Sequence, residues 1–292
     1  MSKLSPRMKA VVRNLIILFL CALAGFLVIK IKAWTTNEST DRITSSDESR
    51  SYLLYVPDYY RRRTPTALVI ALHGYTSKPS DIEFTSRWND LADQEGFIVV
   101  YPAGNFSPKR WRASASISTT ENPQRDVQFI SDLIDQLEVK YNIDPNRIYV
   151  NGISQGGGMT YVIACQLADR VAAVGSVAGA YTYQFNHCEP ARPLPVIAFH
   201  GDDDPIVPYL GAGNTGYYYT LLPAPDWADW WAENNRCSEK NTVSQDSEVD
   251  RTDYQECEDG ADVVFYTILG GGHTWPGDPS STDSTEWGYT TH

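Results

Sequence analysis

Basic residues are scarce in this chain. Residues 1–33 hold six Lys and Arg and no acidic side chain, which leaves 18 basic against 36 acidic residues over positions 34–292, a net charge of −18. That balance repels nucleic acid and works against anionic polymers as substrates, whereas neutral esters meet no electrostatic barrier. Metal-ligand spacing is missing as well. Neither Cys-x-x-Cys nor paired histidines occur, which excludes the zinc reading of the cysteines. There are no internal repeats. The sequence implies no metal, no cofactor and no obligate protein partner.

Long apolar runs are absent but for one. Leu15 to Ile29 is apolar throughout, with Lys3, Arg7, Lys9 and Arg13 before it and Lys30 and Lys32 after. A membrane helix needs about 20 such residues, and Val11 to Ile31 supplies that length if Arg13 and Lys30 snorkel to the interfaces. No Ala-x-Ala-like site follows. Residues 1–33 are therefore expected to be a signal anchor in preference to a cleaved signal peptide. The basic N-flank places the N-terminus in the cytoplasm and the rest of the chain outside, membrane-tethered or secreted. Residues 34–50, rich in Ser, Thr, Asp and Glu, read as a linker. Residues 51–292 are long enough for one α/β domain with a well-buried core.

Cysteine is rare too, five in all, with Cys21 inside the apolar run. In an oxidising compartment the other four, Cys165, Cys188, Cys237 and Cys257, read as two disulfides. Three pairings are open, and sequence proximity favours Cys165–Cys188 and Cys237–Cys257. A loop of that size closed by a disulfide is worth about 3 kcal/mol.

What is present begins with Ile148-Tyr149-Val150-Asn151-Gly152-Ile153-Ser154-Gln155-Gly156. A β-branched, aromatic run leads into Gly-x-Ser-x-Gly and helix-forming residues follow, the pattern of a nucleophile elbow. The turn is so tight that only small residues fit beside the serine, whose hydroxyl projects above the sheet. A serine hydroxyl needs a base, and the base an orienting acid, in the chain order Ser, acid, His. Only His273 and His292 lie far enough along, and His292 is the last residue. His273, on a glycine-rich loop after the apolar run Val263 to Leu269, is the expected base. The acid should follow the buried strand Val196 to His200, where Asp202, Asp203 and Asp204 stand in a row and spacing does not choose among them. Two backbone amides should hold the oxyanion: Gln155, and Tyr75 in the turn His73-Gly74-Tyr75, with Thr76 as the fallback. Each such donor is worth about 3 kcal/mol of transition-state stabilisation. His73 itself is expected to shape that turn.

Strands are expected at about Tyr52–Val56, Ala67–Leu72, Phe97–Tyr101, Arg147–Val150, Ala172–Val177, Val196–His200 and Val263–Leu269. Helical periodicity lies between them: Phe84, Trp88 and Leu91 mark one face, and Val127, Ile130, Leu133, Ile134 and Leu137 another. Alternating strands and helices indicate an α/β protein with a doubly wound, mostly parallel sheet. Long connections at 105–125, 180–195 and 209–225 should shape the pocket. Trp111, Tyr217 and Trp275 are candidate pocket aromatics, able to stack on a ring or to anchor a loop. Trp227, Trp230 and Trp231 read as helix packing, and Ser238 to Gly260 as a surface excursion tied down by a Cys237–Cys257 bridge.

Leu72-His73-Gly74, Tyr101-Pro102-Ala103-Gly104, Asp144-Pro145-Asn146-Arg147, the elbow, His200-Gly201-x-x-Asp204-x-x-Val207-Pro208-Tyr209 and Gly271-Gly272-His273-Thr274-Trp275-Pro276-Gly277 stand in that order. Over Ser51 to Gly277 the chain thus resembles the secreted polyhydroxybutyrate-depolymerase/feruloyl-esterase type of α/β-hydrolase. The resemblance implies an α/β-hydrolase fold and Asp204 as the acid, and relatives carry cysteines at similar places. It also implies a cofactor-free serine esterase acting on hydroxyalkanoate polyesters or oligomers, or on feruloyl or acetyl esters of polysaccharide. Two departures stand out. Relatives read Trp-Asn-Ala where this chain has Trp111-Arg112-Ala113, so leaving-group preference does not carry over. Relatives also continue into a final helix, so a truncated chain with part of a sheet face uncovered is expected here. The alternatives in other classes are a serine peptidase of similar fold and a non-catalytic, membrane-tethered binding protein on a hydrolase fold.

Overall fold

The computed structural model describes residues 38–113, 122–182, 188–212 and 220–278. All of these but Glu38 and Ser39 fall in one compact unit, Thr40–His292. The expected membrane segment lies outside the described residues, among which no helix is long and apolar enough to cross a membrane.

Ten strands form a single sheet: β1 (Glu38–Ser45), β2 (Glu48–Tyr55), β3 (Thr66–Leu72), β4 (Ile98–Pro102), β5 (Ile143–Ile153), β6 (Ala173–Val177), β7 (Val196–Gly201), β8 (Glu239–Ser244), β9 (Val249–Gln255) and β10 (Val263–Ile268). Their spatial order is β1-β2-β4-β3-β5-β6-β7-β10-β9-β8. The central strands from β4 to β10 are mutually parallel, while β2 joins β4, and β9 joins β10 and β8, antiparallel. The mostly parallel sheet is as expected, with antiparallel additions at both edges.

Both faces of the central strands are covered. Along β3, Leu68, Ile70 and Leu72 enter one buried cluster, and Val69 and Ala71 enter the other. That two-residue alternation, apolar on both sides, is what a strand between two helical layers requires. Helices α1 (Pro79–Ser86) and α2 (Trp88–Glu95) supply Ile82 and Ala92 to the smaller cluster. Helices α3 (Gln124–Lys140), α4 (Gln155–Gln166) and α5 (Ala224–Asn234) cover the other face. On α3 the expected stripe from Val127 to Leu137 is buried. On α5, Trp227 and Trp231 are buried as packing residues, with Trp227 stacked on Tyr181 at 4.2 Å.

Two expectations are corrected and a third is given its form. From Glu38 on, the predicted linker is β1 and the start of β2: Ile43 packs on the core and Ser45 and Arg50 are buried. Ser and Thr tolerate an edge strand well, so a stalk-like composition concealed a period-two pattern. Phe84, Trp88 and Leu91 do not share a helix face. Arg87 takes a left-handed conformation (φ 53°) that ends α1 and starts α2, leaving Phe84 62% exposed. The acidic excursion after Cys237 is a hairpin, β8 and β9, that extends the sheet. Its base is closed by Cys237–Cys257, and a second disulfide ties Cys165 on α4 to Cys188.

Candidate active site

The turn between β5 and α4 holds Ser154 at φ 58°, ψ −121°, a region that non-glycine residues enter only under constraint. Neighbouring strands supply that constraint. The Ser154 amide donates to the Val177 carbonyl (2.9 Å), and its own carbonyl accepts from Gly158 (3.0 Å) and Ala180 (2.9 Å). A Cβ on Gly152 would meet the Gly156 carbonyl at 2.6 Å, and one on Gly156 would collide with the Leu72 carbonyl oxygen. The glycines of the motif are thus dictated by close backbone approach.

Two further loops converge on this turn. After β7, Asp204 is buried, and its Oδ1 accepts the Ile206 and Val207 amides, both at 2.8 Å. After β10, His273 is also buried and sets Nδ1 2.7 Å from Asp204 Oδ2. Burial alone would raise the Asp204 carboxyl. Hydrogen bonding to His200 and His273, and from the Val207 amide, outweighs it and holds the group well below the usual carboxylate range. Asp204 is therefore ionised at neutral pH, and His273 presents Nδ1–H to it. The other two aspartates have different places. Asp202 is exposed and accepts the Gly270 amide at 2.6 Å, while Asp203 donates its amide to the Gly271 carbonyl at 3.1 Å. Together they zip the acid loop to the histidine loop.

His200 was missed as a site residue. It is buried at the end of β7, its Nε2 2.8 Å from the Val207 carbonyl and 3.4 Å from Asp204 Oδ2. Its one visible signal was a polar residue ending an otherwise apolar strand.

The turn after β3 passes beside the serine: a Cβ on Gly74 would lie 3.4 Å from Ser154 Cβ and 3.9 Å from its Oγ. Burial pushes the His73 imidazole down to about 4, so it is neutral. Its Nε2 accepts the Gly104 amide at 2.9 Å, so the proton sits on Nδ1, which donates to the Gly74 carbonyl at 2.7 Å. The shaping role expected of His73 takes this form. The Thr76 amide is engaged by the Lys109 carbonyl at 2.8 Å, which removes the fallback oxyanion donor. Among the described residues no acceptor takes the Tyr75 amide. Gln155, as the first residue of α4, has an amide without an intrahelical partner.

Ser154, His273 and Tyr75 border a cavity of about 430 Å³. Ile82, Ile153 and Trp275 form its apolar wall, and Thr76, Ser77, Thr85 and Thr274 bring hydroxyls, with Asp81 and Asp278 at hand. Trp275 is at this cavity. Trp111 is not: it is 1% exposed, its ring lies 5.2 Å from that of His73, and its Nε1–H donates to the His73 carbonyl at 2.8 Å. A large aromatic with one donor fills the space behind the turn better than it could serve a wet cavity. Tyr217 lies outside the described residues. Among the described residues, no group of three or more His, Cys, Asp or Glu is placed to hold a metal ion.

The arrangement can do nucleophilic acyl chemistry, and comparison with known proteins points the same way. The family described as phospholipase/carboxylesterase matches residues 60–223, more than half of the chain. Feruloyl esterase B of Piromyces equi is 31% identical over 77% of this chain and 42% of its own length. A bifunctional acetylxylan esterase/xylanase of Neocallimastix patriciarum is 29% identical over 80% of this chain and 32% of its own. The chain therefore spans about a third to two-fifths of the length of these two relatives. The solved acetyl xylan esterase of Aspergillus awamori superimposes with a TM-score of 0.60 at 19% identity, covering 81% of this chain and 94% of that one. At that identity the likeness is one of fold alone, an α/β-hydrolase fold.

Proposed function

The chain belongs to the phospholipase/carboxylesterase family of α/β-hydrolases; from that premise we propose that it is a serine carboxylesterase in which Ser154, His273 and Asp204 carry out acyl transfer on feruloyl or acetyl esters of polysaccharide. Ser154 Oγ adds to the ester carbonyl carbon while its proton passes to His273 Nε2. The carbonyl electrons collect on an oxyanion held by the Gln155 and Tyr75 amides. Collapse expels the alcohol, which takes the proton back from His273. Water then repeats the sequence on the acyl-enzyme, releases the acid and restores Ser154. Throughout, the Asp204 carboxylate holds Nδ1–H and favours the imidazolium that forms.

The observation that carries this reading is the 2.7 Å contact from an ionised Asp204 to His273, which borders the same cavity as Ser154 at its constrained turn. The substrate class rests on the named activities of the two fungal relatives and on the cavity's mixture of apolar wall and hydroxyls. Hydroxyalkanoate oligomers are the competing substrate. Export through the N-terminal segment, cleaved or retained as an anchor, is supported by the two disulfides, which require an oxidising compartment.

The test is hydrolysis of p-nitrophenyl acetate, p-nitrophenyl butyrate, methyl ferulate and a 3-hydroxybutyrate oligomer, with Ser154→Ala alongside. Turnover should vanish in the variant, and methyl ferulate or the acetate should lead the ranking. If folded wild type turns over none of the four and resists a fluorophosphonate, the esterase reading fails and the binding protein gains. Cleavage of amides but not esters would select the peptidase.

A further inference from the structure

Trp111 is buried away from substrate, yet both of its N–H groups serve the two loops that bring the oxyanion donors together. Its backbone N–H donates to Gln155 Oε1 at 2.9 Å, so it holds the first residue of α4 by its side chain. Its indole Nε1–H donates to the His73 carbonyl at 2.8 Å, so it holds the turn that presents Tyr75. The same loop fastens that turn twice more, through the Gly104 amide on His73 Nε2 and the Lys109 carbonyl on the Thr76 amide. The two backbones are already in contact, since the Gly156 backbone leaves no room for a Cβ against Leu72 and His73.

Trp111 is itself anchored from behind. The next residue, Arg112, gives its amide to Asp126 Oδ2 at 2.7 Å and its guanidinium to Asp126 Oδ1 at 2.9 Å and Glu48 Oε1 at 3.0 Å. Arg50 completes the cluster, 2.7 Å from Asp126 Oδ1. Arg112 and Asp126 are nearly or wholly buried, so the ion cluster fixes the loop more firmly than a surface pair would.

We propose that Trp111 is a positioning residue that sets the spacing between the Gln155 and Tyr75 amides through its two N–H bonds. The inference rests on the oxyanion assignment above. An oxyanion hole works only when its donors already point where the charge will develop, because reorientation during reaction would consume the gain. A brace joined to both loops supplies that rigidity, whereas a pocket residue would act on substrate affinity instead.

Two variants of the full chain test it. Trp111→Phe keeps a buried ring but deletes the indole N–H, and Gln155→Met keeps the backbone amide but removes the acceptor. Removing one oxyanion donor costs about 10²–10³ in kcat. A donor left present but loosely aimed should lose less, about 10–100-fold on p-nitrophenyl acetate. KM should stay within about twofold, the pH profile should keep its shape, and fluorophosphonate labelling should slow in parallel. A melting scan checks that each variant is folded. Either folded variant showing that loss supports the brace. Both folded variants retaining kcat, or losing only KM, overturns it. A full-rate Ser154→Ala would instead sink the serine mechanism on which the proposal stands, so the two failures are told apart.

Discussion

Replacing Asp204 by Asn changes one oxygen to an amino group and should disable the enzyme while leaving it folded. Asp204 Oδ1 accepts two backbone amides, from Ile206 and Val207, so the Asn side chain must keep its oxygen there. Its amino group then occupies the place of Oδ2, facing His273 Nδ1 across the present 2.7 Å. An amino group can only donate, so the imidazole proton moves to Nε2. His273 would then offer Ser154 a donor where the reaction needs an acceptor. A wrongly held tautomer of this kind costs about 10⁴ in kcat in serine hydrolases. The stability change should be small by comparison, because a charge-assisted bond is exchanged for a neutral one, worth about 1 kcal/mol. Its pH dependence has a definite sign. The carboxyl is depressed in the folded state, so its ionised form contributes stability that is present above about pH 4 and is lost as pH falls through the lower folded value. The wild type's advantage over Asp204→Asn should be flat from about pH 7 to pH 5 and shrink below about pH 4. The assay is kcat on p-nitrophenyl acetate, with urea unfolding across that pH range. A folded variant within tenfold of wild type, or an advantage that grows on acidification, would refute the reasoning.

Two further outcomes follow from buried polar groups. His73, pushed down to about 4, resists protonation in the folded state while the unfolded chain takes up a proton near pH 6.5. Stability from this group is full above about pH 6.5 and falls by about 3 kcal/mol between there and pH 4; urea midpoints over that range should lose this slope in His73→Asn, and an unchanged slope counts against it. Asp126→Asn leaves the buried Arg50 and Arg112 with Glu48 as their remaining counter-charge, at a cost of about 3 kcal/mol seen as a lower urea midpoint; a loss under about 1 kcal/mol would show that the cluster is better solvated than its burial indicates.

Much of the candidate site is legible in the residues alone. The elbow can be read because its glycines answer a local steric demand, and His273 because only two histidines lie late enough in the chain. Asp204 is harder. Three adjacent aspartates have the same chemistry in sequence, and burial, which singles out one of them, is a property of the folded loop. Trp111 shows the opposite failure. An aromatic on a long loop beside a motif reads as a pocket wall, yet its distance from the cavity is set by strand order and by the ion cluster behind Arg112. The linker that proved to be β1 failed for a related reason, since an edge strand needs only half of its residues to face the core, and short polar side chains can satisfy that.

The sequence by itself determined the alternation of strand and helix, the nucleophile turn, the candidate base, and an acidic surface unsuited to nucleic acid, because each depends on residue type at short range or on total charge. Only the tertiary structure decided which aspartate meets His273, which amides remain available near Ser154, and which aromatic lines the cavity. Those depend on contacts between segments far apart in the chain, such as Trp111 with His73 and Asp204 with His273. Such contacts are set by how the central strands lie in register, and no local pattern of residues encodes that register.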